Sequence, residues 1–188
     1  GNVTVNNILN LADGNLSLGS SNYNLTIAAT GSITGSYVNS HMIVCDGSGS
    51  LIRQGTNAAA FAMVYPVGTD SRYTPFEITS LTATVAGTGS VSVRAVEGTA
   101  PGPPAANSTD LQKYWIVNTT NLSGITADLQ MIYINPDEVG TGGDQSSYQP
   151  YIYTGGAWTL PASTSGPGVN PMIVSGTNVI AGQWTARE

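Results

Sequence analysis

Apolar and polar residues alternate with a period of two along most of the chain, the spacing of strands with one covered face. Val91, Val93 and Ala95 alternate with Ser92 and Arg94, and Tyr151 and Tyr153 flank Ile152. Leu129, Met131 and Tyr133 alternate with Gln130, Ile132 and Ile134, which predicts a strand covered on both faces. Turn signals interrupt the alternation at Asp13-Gly14, Asp46-Gly47, Ala86-Gly87, Gly142-Gly143 and Gly155-Gly156. Helix signals are nearly absent, because the abundant small polar residues compete for backbone hydrogen bonds in non-helical forms. The longest helical candidate, Asn57 to Met63, is short and runs into Val64-Tyr65-Pro66, so it reads as a loop entering a strand.

Two regions differ in rhythm. Over residues 1–50, apolar pairs recur at Val3/Val5, Leu9/Leu11, Leu16/Leu18 and Leu25/Ile27, followed by Ile33, every six to nine residues. Strands this short are unstable as isolated hairpin arms. Stacked in rungs they make a β-solenoid, and laid side by side they make a meander; both readings stay open. Over residues 51–188 the strands lengthen: Lys113 to Asn118, Ala127 to Asn135, Tyr148 to Thr154, Trp158 to Leu160, Met172 to Ser175 and Val179 to Trp184. The proline-rich stretch from Gly98 to Asn107 cannot join a central ladder and reads as a surface loop. The expectation is an all-β chain: a β-sandwich of jelly-roll or Ig-like type over 51–188, with a solenoid-like or meander β segment over 1–50 packed on it.

Composition narrows the setting. Only 9% of the 188 residues are charged, far below the roughly one quarter usual in soluble domains. The net charge is −6, and the five cations, Arg53, Arg72, Arg94, Lys113 and Arg187, are scattered. Nucleic acid is therefore not an expected partner, since backbone phosphates require a basic patch. No apolar run reaches the roughly 18 residues of a membrane helix, so no membrane span is expected. The single cysteine, Cys45, permits no internal disulfide. The chain opens on Gly1-Asn2-Val3-Thr4, strand-like sequence without a secretory signal, so an exported form would be mature or excised.

Several segments resemble terminal and repeat β-modules of large secreted surface proteins of Bacteroidota. They are Val44-Cys45-Asp46-Gly47-Ser48-Gly49-Ser50-Leu51, Tyr65-Pro66-Val67-Gly68-Thr69, Ser71 to Thr79, Lys113-Tyr114-Trp115-Ile116-Val117, Gly124 to Leu129, Gly156-Ala157-Trp158-Thr159 and Gln183 to Glu188. Their order and rough spacing hold over nearly the whole chain. The resemblance implies an adhesin-like protein exported by the type IX route, at the cell surface or outside the cell, and it transfers no catalytic residues.

Candidate chemistry is sparse. Extended backbone would put His41 and Cys45 about 13 Å apart, too far for a nucleophile–base pair. One histidine and one cysteine also fall short of a zinc ligand set. Asp137 and Glu138 are adjacent and would face opposite ways in a strand, which argues against a glycosidase pair. Asn135, Asp137, Glu138 and Asp144 form a candidate calcium loop, the only cofactor the residues suggest. Trp115, Trp158, Trp184, Tyr151 and Tyr153 offer either core or a glycan-stacking platform. Six Asn-x-Ser/Thr sequences, starting at Asn2, Asn15, Asn24, Asn107, Asn118 and Asn121, are attributable to composition. Val3, Val5, Leu9 and Leu11, with no charged side chain before Asp13, are expected to form a strand-addition interface for copies of the chain or a neighbouring module. The functional expectation is a non-enzymatic extracellular structural module, an adhesin segment or a self-assembling filament subunit; the alternative is a carbohydrate-binding module.

Overall fold

The computed structural model describes residues 1–70, 72–105, 107–134 and 138–188. The fold is all-β and sandwich-like, with two short 3-10 turns at Ala58–Phe61 and Gln145–Ser147. The segment expected as loop into strand contains the first of these turns, which the Asn57 side chain caps by accepting from the Ala60 N–H.

The N-terminal region winds in rungs. The first turn of chain contributes β1 (Val3–Val5), β2 (Ile8–Leu11) and β3 (Leu16–Ser17). The second contributes β4 (Leu25–Ile27), β5 (Ser32–Gly35) and β6 (Ile43–Val44). The third contributes β7 (Leu51–Gly55), the Ala58–Phe61 turn, β8 (Val64–Tyr65) and β9 (Val67–Thr69). All rung-to-rung pairing is parallel: Val3 faces Leu25, Leu25 faces Leu51, Ile8 faces Ser32, and Leu16 and Val67 lie either side of Ile43. Parallel pairing selects the solenoid over the meander, whose neighbouring strands would run antiparallel. Leu11, Leu18, Leu25, Ile27, Ile43, Cys45, Leu51 and Val67 fill the interior.

Asparagine side chains tie each level to the next. Asn24 N–H donates to Asn2 Oδ1 at 2.9 Å, and Ser50 N–H donates to Asn24 Oδ1 at 2.9 Å. Ser48 N–H donates to Asn22 Oδ1 at 2.9 Å, Met42 N–H to Asn15 Oδ1 at 3.0 Å and Tyr73 N–H to Asn39 Oδ1 at 2.8 Å. In all five cases the earlier residue supplies the side-chain carbonyl and the later one the backbone N–H. Gly49 is required at one corner, because a Cβ there would collide with the Tyr23 carbonyl of the rung below.

The sandwich is built from one long hairpin folded over itself. β11 (Phe76–Glu97) and β12 (Lys113–Met131) pair antiparallel from Phe76↔Met131 to Glu97↔Lys113. Drawn straight, Phe76 and Ala95 would lie about 63 Å apart at 3.3 Å per residue. Yet the Phe76 ring sits 6.4 Å from that of Trp184, which pairs with Trp115, itself the partner of Ala95. The Trp115 indole N–H also reaches the Thr74 carbonyl at 2.8 Å. The hairpin must therefore double back. Its register slips between Ile78 and Ser80, Thr82 and Thr84, and Val85 and Ser90. Gly87, Asn121 and Gly124 at the slipped middle have φ of +69°, +58° and +60°. The Ala86-Gly87 turn signal thus marks a fold within a strand, and the strands expected to start at Lys113 and at Ala127 are one, which ends at Met131.

The two halves form the two layers. On one side β8 and β15 (Met172–Thr177) flank Phe76–Ile78 and Ala127–Met131. On the other, β7 and β16 (Gly182–Arg187) flank Gly89–Val93 and Trp115–Val117, with β13 (Gln149–Thr154) and β14 (Ala157–Thr159) beyond β16. The strand expected at Val179 to Trp184 lies a few residues later, because Thr177 Oγ1 bonds both the N–H and the carbonyl of Val179 and holds a turn there. Trp115, Trp184, Phe76, Met131, Val174 and Leu129 are fully buried between the layers. β7 belongs to both regions: it is the third solenoid strand and an outer neighbour of β11.

Candidate strand-addition interface

The two ends of the solenoid are unlike. At the inner end, β7 is covered by β11, and β9 by the antiparallel β10 (Arg72–Tyr73). On the third side the Ala58–Phe61 turn is fastened by Arg53, whose guanidinium donates to the carbonyls of Ala28, Gly31 and Ala60 at 2.8, 2.5 and 3.1 Å. At the outer end, β1 and β3 terminate their sheets and β2 pairs only with β5, so among the described residues the whole first rung has an unpaired edge. Val3 N–H donates to Asn24 O, while Leu16 and Leu18 N–H donate to Met42 and Val44 O. By strand alternation the amides of Thr4 and Ser17 face outward.

The open edge is also apolar. Val3 is 55% exposed, Ile8 61% and Tyr23 43%, large values for apolar side chains. Beside Val3 and Tyr23 lies a cavity of about 130 Å³ whose lining includes Leu16, Leu18, Asn24 and Leu25. This is the solenoid interior opening to solvent. Of the four residues expected to form the interface, Val3 lies on it, Val5 and Leu9 are half-buried, and Leu11 is in the core at 4% exposure. Leu11 is thus removed from the interface by alternation along β2, which turns it inward. Ile8, Tyr23 and the corner asparagines Asn2, Asn15 and Asn24 were missed. The spacing of Asn2 and Asn24, 22 residues apart, was the available signal.

The residues suggested for calcium are occupied otherwise. Asn135 and Asp137 lie outside the described residues. Glu138 is fully buried and pairs with the fully buried Lys113 ammonium at 2.9 Å, its other oxygen accepting from Ile134 N–H at 2.6 Å. Asp144 accepts from the N–H and Oγ of Ser146, capping the second 3-10 turn. Among the described residues no cluster of three or more His, Cys, Asp or Glu is placed to hold a metal.

Lys113 binds a second carboxylate, Glu97, at 2.6 Å. Burial disfavours ionisation of Glu97. The hydrogen bonds from Lys113 and Thr69, with the charges of Lys113 and Arg72, outweigh it and hold the carboxyl below the usual range. For Glu138, deeper in the protein, desolvation wins and the pKa is raised despite Lys113. Burial also pushes the Cys45 thiol up to about 11. A thiol with that pKa is neutral at physiological pH and a poor nucleophile.

The aromatic candidates divide. Trp115 and Trp184 are fully buried, with indole N–H groups bonded to Thr74 O and Ile180 O, and they present no stacking face. Trp158 is half-buried against Tyr153 at 5.3 Å with the rings tilted by 51°. Its indole N–H is held by the carbonyls of Gly102 and Pro104 in the proline-rich loop, and Arg187 lies over the ring.

No family model, no curated protein and no solved structure matches the chain. No helix among the described residues is long and apolar enough to cross a membrane. The fold and the open rung therefore carry the functional argument by themselves.

Proposed function

We propose that the chain is a non-enzymatic structural module of an extracellular, adhesin-like surface protein, joined to its neighbours by strand addition at the first solenoid rung. The observation that carries this reading is the unpaired, uncharged and apolar edge of β1–β3, a template for further strands. Two further features support it. The buried charged groups Lys113, Glu138 and Asp110 serve internal ties, Lys113 with Glu97 and Glu138 and Asp110 with Arg187. The low charge leaves few repulsive groups to block pairing between modules. The carbohydrate-binding alternative is weaker, since Tyr153 and Trp158 are not coplanar and the indole edge is already bonded.

Antibody labelling of intact cells that make the protein tests the setting. Labelling without permeabilisation is expected; signal confined to permeabilised cells would contradict the reading. A glycan array tests the alternative: saturable binding that Trp158→Ala abolishes would favour it.

A further inference from the structure

We infer that the occupant of the open rung is an in-register, parallel solenoid rung of a neighbouring module, bearing asparagines at its corners, and that this chain is the closing end of that solenoid. The inference rests on the strand-addition reading and names the partner. It follows from the polarity of the asparagine contacts and the inequality of the two ends.

Each corner asparagine offers its side-chain carbonyl to the next level and never to the previous one: Asn2 to Asn24, Asn24 to Ser50, Asn15 to Met42. One step further back, the same geometry calls for an asparagine whose Oδ1 takes the Asn2 N–H. Its strand then covers the outward amide of Thr4, and its apolar side chains enter the 130 Å³ mouth between Val3, Leu16 and Leu25. The interface to be formed is thus the one that already joins the first and second rungs.

A second copy of the chain does not fit. Head-to-tail stacking needs an outgoing rung, and β11, β10 and the Arg53-fastened turn cover that end. Head-to-head stacking about a two-fold axis would set the strands antiparallel and bring together two edges of the same kind, neither of which offers an asparagine carbonyl to the other. The filament expectation of open head-to-tail contacts between copies is replaced by a partner that supplies an outgoing rung. Solenoids require such atypical terminal units to end their stacks.

The test inserts a duplicate of residues 2–23 between Gly1 and Asn2, placing the duplicated asparagine 22 residues ahead of Asn2. Hydrogen exchange at Thr4 and Ser17 is expected to slow at least tenfold relative to the native chain. Replacing the duplicate's asparagines by alanine is expected to abolish most of that protection. Unchanged exchange at both amides would overturn the inference. Trp115 and Trp184 emission reports independently that the sandwich is folded. The native chain supplies the second arm. Sedimentation at concentrations up to about 1 mM is expected to give a monomer. Fibres, or a dimer abolished by Thr4→Pro, would identify a copy of the chain as occupant and overturn this partner, while leaving the strand-addition reading intact.

Discussion

The solenoid and the sandwich are both β structure, but different forces hold them. In the solenoid, strands of two to five residues are joined by parallel ladders and by asparagine side chains at half-exposed corners. Each rung touches only the rungs beside it, so stability accumulates one interface at a time and is lowest at the open end. In the sandwich, two strands of 22 and 19 residues reach across both layers. Folding them over brings Phe76, Trp115 and Trp184 together and seals Lys113 with Glu138. The long-range contacts there are mutually dependent. The difference teaches that the sandwich is the anchored end and the first rung the receptive one.

Breaking the sandwich should have the largest effects. Trp115→Ala is expected to cost about 3–5 kcal/mol in chemical denaturation, the usual range for truncating a buried large aromatic. A loss under about 1 kcal/mol would mean that the doubled hairpin does not depend on this contact. Lys113→Met should cost a similar amount, because it leaves Glu138 buried without its partner. Adding Glu138→Gln should recover part of that loss, since the residual buried charge is then gone.

Acid titration sharpens the same cluster. The folded pKa of Glu97 lies below its unfolded value, so its stabilising contribution is complete above the usual glutamate pKa and is lost as pH falls through the folded value. Glu138 has the opposite sign: its folded pKa is raised, so its contribution is present at low pH and lost as pH rises through that folded value. Glu97→Gln is expected to weaken the acid-side loss, to which Asp128 and Asp144, also held below the usual carboxylate range, still contribute, and to expose more of the opposite Glu138 trend. A Glu97→Gln titration with the parent's acid limb would contradict this assignment.

The rung corners come next. Asn24→Ala removes one rung-to-rung acceptor at a partly buried position and should cost about 1 kcal/mol, the usual net worth of such a bond. Ile8→Lys, on the open edge, should change the stability of the isolated chain by less than about 0.5 kcal/mol, as is usual for exposed positions. A larger loss would show that the edge is already covered.

The sequence was informative where side-chain period reports burial. Alternation identified the strands at Val91–Ala95 and Leu129–Met131, and the apolar setting of Trp115 and Tyr133 matched their burial, although Tyr133 lies past the end of β12. Proline correctly kept the described part of the 98–107 stretch, residues 98–105 and 107, out of the ladders. Alternation does not carry strand direction, so parallel rungs and an antiparallel meander were equivalent until Val3 was seen opposite Leu25 and Leu25 opposite Leu51. Nor does a Gly turn signal distinguish a strand end from a strand that folds over, which is why Gly87 and Gly124 were not recognised as the hinge of the sandwich. Asn2, Asn15 and Asn24 were discounted as composition because their role is set by partners a full turn of chain away. The candidate interface was half legible: the region was identified, but choosing apolar residues alone took in Leu11, which faces inward, and passed over Ile8 and Tyr23.

Residue-resolved hydrogen exchange of the native chain tests the central claim most directly. Protection should be lowest across β1–β3, rise through β4–β6, and reach the global unfolding limit in β7, β11 and β12. A first rung as strongly protected as β11 and β12 would contradict an open, receptive end.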